Sequence, residues 1–345
     1  MFLSIIFPLK NLNFYINYLI IIFIEFFSYV NLKLIVLIKF KIYVFYKLLL
    51  FVREFRKIFT KKSIAIFGAS GFIGRNLVYK LAKNGWKIKA LMRAPQYANY
   101  LRPMGKVGQV TCLKCNILDA NKIEDYLADV EVVINLVGIL AEDNNQKFYQ
   151  IHSLGPKNIA QACFNHKIKH FIHISALGID TDSRSKYSQS KAEGERLIKS
   201  ILKESIILRP SVIFGNYDNF INKFKKMASI SPFMPLIGNG RTKFQPLYVE
   251  DLISVIEILS KNKKFFGKTI ELGGPEILSL EDIFDLIIES EGIKRKYIPI
   301  PFFWAKIVAI MSYFLPNAPI TLDQIKLLEQ IISLMILIQD SKNLI

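Results

Sequence analysis

From residue 62 onward, short apolar runs alternate with stretches whose apolar residues fall at helical spacing. The runs at Ile64–Phe67, Lys87–Met92, Gln109–Lys114, Val130–Leu136 and Phe171–Ile174 predict five strands, and the amphipathic stretch Asn76–Lys83 predicts a helix after the first. Regular strand–helix alternation predicts an α/β fold with a doubly wound parallel sheet.

Before Lys61 the pattern differs in kind. Residues 14–30 are almost wholly apolar, broken by Glu25, and residues 32–52 are apolar but carry Lys33, Lys39, Lys41 and Lys47. A spanning helix needs about 20 apolar residues. The first stretch approaches that length with one central acid. The second has the pattern of an interfacial helix with snorkelling lysines. The basic residues after the first stretch predict that the folded part stays on the cytoplasmic side. No small-residue cleavage site follows, which argues against a secretory signal. Two readings stand: membrane attachment through residues 1–52, or an over-extended gene start.

Among 345 residues the net charge is +18, so nucleic acid must be considered. Residues 1–62 hold ten Lys/Arg against two acids, and the later lysines are scattered without a basic, aromatic-interleaved helix. Frequent Ile, Lys, Asn, Phe and Tyr resemble the output of an AT-rich genome. No nucleic-acid partner is expected. Cys112 and Cys115 form a Cys-x-x-Cys, but no second pair or histidine cluster accompanies them, and with Cys163 they predict buried thiols rather than a metal site.

The chemistry concentrates in Ile64-Ala-Ile-Phe-Gly68-Ala-Ser70-Gly71-Phe72-Ile73-Gly74. Gly68 lets the strand turn sharply, Gly71 lets backbone amides approach a pyrophosphate, and Gly74 lets the helix pack closely on the sheet. The helix N-terminus adds partial positive charge. The second strand ends at Arg93 with no acid to hold a ribose 2′-hydroxyl, and Arg75 follows the glycine loop. That charge predicts NADP in preference to NAD. Val137-Gly138 forms a small-residue bend that would pass over the cofactor.

Tyr187-Ser-Gln-Ser-Lys191 places two functional groups four apart, on one helix face. The ammonium would lower the phenol's pKa and hold the nicotinamide ribose, leaving Tyr187 as acid or base. Ser175 ends the fifth strand and would hydrogen-bond a substrate carbonyl. It is followed by Ala176, where the extended short-chain dehydrogenases/reductases that this pattern resembles often carry a second hydroxyl. His152, Gly155 and Asn158 lie on an intervening helix, with His152 expected to pack or hydrogen-bond rather than catalyse.

The Gly-x-x-Gly-x-x-Gly spacing and the Tyr-x-x-x-Lys pair resemble the short-chain dehydrogenase/reductase superfamily, including its NAD-dependent epimerase/dehydratase-like branch. Asn135–Leu140, His173–Gly178, Arg209–Gly215, Phe244–Asp251 and Glu271–Pro275 resemble more closely the 39 kDa accessory subunit of respiratory complex I, the alpha-subcomplex subunit 9 family. The resemblance spans roughly 62–330. It implies a Rossmann domain over 61–215 and a smaller C-terminal substrate-side lobe over 216–330, with 244–275 returning to the core. The remaining parts are the hydrophobic extension 1–60 and an atypical tail 331–345, which a frameshift would explain. It also implies adenine contacts from Asn116 and Ile117, a nicotinamide-side loop at Pro210, and complex I subunits as partners. The implied location is the cytoplasmic face of a bacterial plasma membrane, or the matrix side of a mitochondrial one. The implied role is accessory, with the alternative of an active NADP-dependent reductase, epimerase or dehydratase on a small carbonyl or nucleotide sugar. Pro299–Ser312 is expected to pack as a core helix of the lobe, against the alternative of a surface resting on a membrane or partner.

Overall fold

The structure is a computed structural model that describes residues 17–22, 39–48, 62–311 and 320–329. Contacts divide the chain into Met1–Lys61 and Lys62–Ile345. In the first part, the described residues form helices α1 (17–22) and α2 (39–48), with largely exposed side chains. No helix among the described residues is long and apolar enough to cross a membrane. Much of the apolar stretches at 14–30 and 32–52, and the tail from Ile331, lie outside the described residues.

From Lys62 the chain winds β1 (Ser63–Phe67), α3 (Phe72–Lys83), β2 (Lys87–Met92), β3 (Val110–Lys114), α4 (Ala120–Leu127) and β4 (Val132–Asn135). A π-helical turn, Tyr149–Leu154, runs into α5 (Gly155–Asn165), followed by β5 (His170–Ile174), α6 (Lys186–Ile201) and β6 (Ile206–Pro210). Later come β7 (Ile213–Phe214), α7 (Ile221–Ile230), β8 (Phe233–Ile237), β9 (Lys243–Phe244), β10 (Leu247–Tyr248) and α8 (Val249–Lys261). The described chain ends with β11 (Thr269–Leu272), β12 (Leu278–Ser279), α9 (Leu280–Ser290), β13 (Lys296–Ile300), α10 (Phe302–Met311) and α11 (322–329).

Seven strands form one parallel sheet in the order β11-β6-β5-β4-β1-β2-β3. Strand β1 is buried throughout, and its period-2 geometry sends alternate side chains to opposite faces. Ile64 and Ile66 join the core under α3 and α8, while Ala65 and Phe67 join the core under α4, α5 and α6. The chain reverses its direction of winding between β1 and β4, which opens a crevice at their C-terminal ends. A smaller core of Met234, Leu236, Ile283, Phe284 and Ile287 lies among α7, β8 and α9.

Two departures from the sequence reading have physical causes. Helix α3 begins at Phe72, four residues before the amphipathic stretch: Phe72 and Ile73 already pack on the core, but Gly74 and Arg75 interrupt the apolar spacing before Leu77. The expected core helix at 299–312 is corrected: α10 buries only Ala305 and Ala309, against Ile325 of α11. Small residues at i and i+4 let the two helices approach, which turns Phe303, Trp304, Ile310 and Met311 outward.

Gly194 lets α6 seat on the π turn, since a Cβ there would lie 1.9 Å from the His152 carbonyl oxygen. Gly194→Ala is expected to cost about 1–3 kcal/mol, the usual penalty of forcing atoms into a packed contact. Urea denaturation checks this, and an unchanged midpoint would contradict the packing.

Candidate functional site

The glycines of the first turn have three different jobs. Gly68 has φ +81, a left-handed conformation, and a Cβ there would meet the Leu136 and Val137 backbone at 3.2 Å. A Cβ at Gly74 would lie 2.3 Å from the Gly68 carbonyl oxygen. The fold itself therefore needs glycine at both positions. Gly71 is different: it is exposed, its φ is −74, and the nearest atom to a Cβ is the Gly68 oxygen at 3.3 Å. The fold demands glycine less strictly at Gly71: a Cβ there would press on the Gly68 carbonyl oxygen, which would have to give by a few tenths of an ångström. Gly71 is the N-cap of α3, with no side-chain cap, so the first amides of the helix remain available to an anion.

A cleft of about 210 Å³ opens beside this turn, bounded by Gly68, Ser70, Gly71, Arg93, Asn116, Ile117, Val137 and Gly138. Phe72, Ile73 and Gly74 are not among the residues lining the cleft: Phe72 and Ile73 pack on the core, and Gly74 lies against the Gly68 carbonyl. Asn116 accepts the Leu118 amide through Oδ1 at 3.1 Å, leaving its amide nitrogen for a base. Asn158 Nδ2 donates to the Ile117 carbonyl, and a Cβ at Gly155 would overlap the Ile117 side chain. Helix α5 thus fixes the Asn116–Ile117 side of the cleft. Gln146 and Ile139 also line the cleft, and no sequence signal marked them. Pro210 is buried at the end of β6, accepts the Leu177 amide, and is not among the residues lining the cleft.

Tyr187, Lys191 and Ser175 gather at the other side of the Gly138 bend. Lys191 is 6% exposed and donates to the Ile174 carbonyl at 3.2 Å. A Cβ on Gly138 would lie 3.6 Å from its Nζ. Burial pushes the Lys191 ammonium down to about 8, against the pull of Glu195, and pushes the Tyr187 phenol up to about 12. The expected lowering of the phenol by Lys191 is therefore corrected. The ammonium sits 5.8 Å from the ring centre, and desolvation outweighs its field. Ser175 is 4% exposed and its buried hydroxyl has no hydrogen-bond partner. Such an orphan is costly unless a ligand meets it.

His152 ties the two sides together. Its Nε2 accepts the Ile139 amide at 3.0 Å, so the network places the proton on Nδ1, which donates to Ser190 Oγ at 3.0 Å. Ser190 Oγ donates in turn to the Tyr187 carbonyl. Burial first, then the Lys191 ammonium and His173, push His152 down to about 2. His173 accepts from Asn135 Nδ2 at 3.1 Å, and burial and Lys191 push it down to about 3. Both imidazoles are neutral hydrogen-bonding groups, which agrees with the role expected for His152.

A larger hollow of about 340 Å³ lies along Glu195, Arg196, Lys199 and Arg209. Its cations are already matched: Arg209 pairs with Glu195 at 2.8 Å and Glu271 at 3.3 Å, and Lys199 donates to the Ser205 and Gly267 carbonyls. It offers no free field to a ligand. Cys115 and Cys163 are buried and Cys112 half-buried, and burial pushes the Cys115 thiol up to about 11. Among the described residues no cluster of His, Cys, Asp and Glu could hold a metal.

The bare Gly71, the Gly138 bend and the orphan Ser175 hydroxyl fit a nicotinamide dinucleotide, and the parallel sheet with its Gly-rich first turn defines a dinucleotide-binding fold. The model of the NAD dependent epimerase/dehydratase family matches residues 64–273, and the chain belongs to that family, within the group of the NADH dehydrogenase [ubiquinone] 1 alpha subcomplex subunit 9. The mitochondrial subunit 9 of Arabidopsis thaliana is 34% identical over 77% of this chain and 68% of its own length. That of Mus musculus is 37% identical over 68% of this chain and 62% of its own. Among solved structures, the UDP-glucuronic acid 4-epimerase of Bacillus cereus with UDP-glucuronic acid and NAD superposes with a TM-score of 0.59. It is 22% identical, and the match covers 69% of this chain and 86% of that one.

These comparisons correct the expected preference for NADP. Among the similar solved structures, six are complexes with NAD, while a dTDP-4-dehydrorhamnose reductase of Bacillus anthracis is a complex with NADP. The structure places Arg75 against two aromatic rings, with its buried Nε lacking a hydrogen-bond partner. Its guanidinium lies between the Tyr100 and Tyr217 rings at 4.8 and 4.7 Å, and one nitrogen donates to the Tyr100 hydroxyl. The chain binds NAD(P), with no preference assigned.

With His152 and His173 held below their usual range, the unfolded chain binds more protons than the folded one below about pH 6.5. Their contribution to stability is therefore full above pH 6.5 and falls as the solution is acidified toward pH 3. His152→Gln keeps a neutral donor and acceptor, and is expected to flatten the fall of the urea midpoint between pH 6.5 and pH 4. A slope equal to that of the wild type would contradict the buried neutral imidazole.

Proposed function

We propose that this chain is an accessory component of a respiratory NADH dehydrogenase, and that it holds its nicotinamide dinucleotide as a resident ligand rather than turning it over. The observation that carries this reading is the contrast between the two ends of the site. The phosphate end has a bare Gly71 and uncapped helix amides. The reacting end has Ala176 in place of a second hydroxyl and a phenol pushed up to about 12. A proton donor or acceptor works best with a pKa near the working pH, and Tyr187 is far from it. The relatives named for a mitochondrial NADH dehydrogenase supply the partner: subunits of that complex. The location that follows is the matrix side of a mitochondrial inner membrane, or the cytoplasmic side of a bacterial one.

In this reading Gly68, Ser70, Gly71, Phe72, Ile73 and Gly74 hold the pyrophosphate, Asn116 and Ile117 the adenine, and Val137, Gly138 and Lys191 the nicotinamide side. Arg93 lies beside the adenine ribose, and Pro210 backs the nicotinamide loop. The dinucleotide brings redox chemistry when bound; the protein's own groups orient it and exclude water.

One observation favours the second reading, a working reductase, epimerase or dehydratase. Ser175, Tyr187 and Lys191 are all retained, and the Ser175 hydroxyl is unpaired. There Ser175 would donate to a substrate carbonyl, Tyr187 would hold the moving proton at its phenol oxygen, and Lys191 would favour the phenolate. A ceramide reductase of Caulobacter vibrioides, 27% identical over 54% of this chain and 57% of its own, belongs to the same set of relatives.

Gentle purification of the full chain followed by native mass spectrometry separates the readings. The expected result is close to one dinucleotide per chain, resistant to washing, with NADH dehydrogenase subunits alongside. Tyr187→Phe is expected to leave both unchanged. Protein that arrives empty, or exchanges its dinucleotide freely and lacks those subunits, would overturn the accessory reading.

A further inference from the structure

Helix α6 carries Tyr187 and Lys191, so whatever fixes its first turn fixes both. The amides of that turn have no partner within the helix. Ser185, the N-cap, accepts only the Ser188 amide, at 3.3 Å. The amides of Lys186 and Tyr187 are left, and a carboxylate from far along the chain meets them. Asp323 of α11 accepts the Lys186 amide at 2.7 Å, the Tyr187 amide at 3.1 Å and the Ser185 hydroxyl at 2.7 Å. A negative charge at a helix N-terminus is favoured by the helix dipole, and hydrogen bonds to an ionised group are roughly twice as strong as neutral ones.

The next residue of α11 reaches the other wall of the site. Gln324 Nε2 donates to the Leu140 carbonyl at 3.4 Å, two residues beyond Gly138. The start of α11 is itself closed reciprocally, with the Gln324 amide on Thr321 Oγ1 and the Thr321 amide on Gln324 Oε1. Ile325 anchors α11 on Ala305 and Ala309, and Glu329 pairs with Lys306 at 2.6 Å. Helix α11 is therefore a short strut, seated on α10, whose first turn holds both the Tyr187 helix and the Gly138–Leu140 loop.

We propose that Asp323 is the positioning residue of the nicotinamide side. It sets where Tyr187 and Lys191 stand relative to the Gly138 loop, and so sets the pocket that receives the nicotinamide ring. This rests on the reading of the cleft as a dinucleotide site. Asp323 touches neither ligand nor reacting atoms; it acts through the backbone of α6. The sequence gives no hint of this, because Asp323 lies 136 residues from Tyr187 in an otherwise ordinary amphipathic stretch.

The test titrates NADH into the full chain, washed free of any bound dinucleotide, and follows the emission of the reduced nicotinamide. Wild type, Asp323→Ala, Asp323→Asn and Gln324→Ala are compared, with AMP as a second ligand that reaches only the adenine end. Asp323→Ala is expected to weaken NADH by about tenfold, the loss of roughly one charge-assisted hydrogen bond, and to shift bound NADH emission toward that of free NADH. AMP affinity is expected to stay at the wild-type value. Asp323→Asn keeps an accepting oxygen and is expected to recover part of the loss, with Gln324→Ala giving a smaller shift in the same direction. NADH affinity and emission unchanged in Asp323→Ala would overturn the proposal while leaving the dinucleotide site in place. Equal loss of AMP and NADH would also overturn it, showing general loosening of the fold. Wild type that binds neither ligand would overturn the site and the proposal together.

Discussion

The contact on which the rest depends is the close approach of two backbones at the crevice between β1 and β4. Gly68 turns out of β1 in a left-handed conformation, and its Cα faces the Leu136–Val137 peptide with no room for a side chain. Gly74 brings the first turn of α3 against the Gly68 carbonyl in the same way. These two contacts put the uncapped amides of α3, the end of β4 and the Gly138 bend around one cleft. Loss of either would move the amides away from the cleft. The sheet order supplies the crevice, and the glycines allow a ligand to enter it.

The nicotinamide side is held by different means. Here the protein uses a chain of hydrogen bonds that joins distant elements: Ile139 donates to His152, His152 to Ser190, Ser190 to the Tyr187 carbonyl within α6, and the amides at the start of α6 to Asp323. His152 and Ser190 are buried and Tyr187 is half-buried, and the charged groups of the network are the carboxylate and Lys191. The same burial that orders them raises the Tyr187 phenol and lowers the Lys191 ammonium. Order and reactivity pull in opposite directions at this end. A site arranged so favours holding a dinucleotide over cycling it.

What the sequence made legible follows from the range of each interaction. Strands β1, β2 and β5 were read within a residue because buried parallel strands are short apolar runs. The glycine turn was legible because each glycine answers a local backbone demand. The start of α3 is not legible because Gly74 and Arg75 interrupt the apolar spacing between Phe72–Ile73, which pack on the core, and Leu77. The outward face of α10 was misread because hydropathy does not say that Ala305 and Ala309 are the packing residues. Arg75 was read as a free charge, and only the fold brings Tyr100 and Tyr217 to its two faces. Gln146 and Asp323 were invisible for the same reason: their partners are set by tertiary structure.

Gly71 offers the most direct measurement. Its backbone is that of an ordinary N-cap, and serine is among the residues best suited to such a position. A serine cap hydrogen bond offsets the tight 3.3 Å contact of its Cβ with the Gly68 oxygen, so Gly71→Ser should fold about as stably as the wild type, while its side chain occupies the space and the amides that a pyrophosphate needs. NADH titration and urea denaturation of the same preparation read both properties at once. The account predicts an unchanged unfolding midpoint with NADH affinity lowered by at least about tenfold, or roughly 1.4 kcal/mol. An unchanged midpoint with undiminished NADH affinity would contradict it, because the dinucleotide would then lie elsewhere.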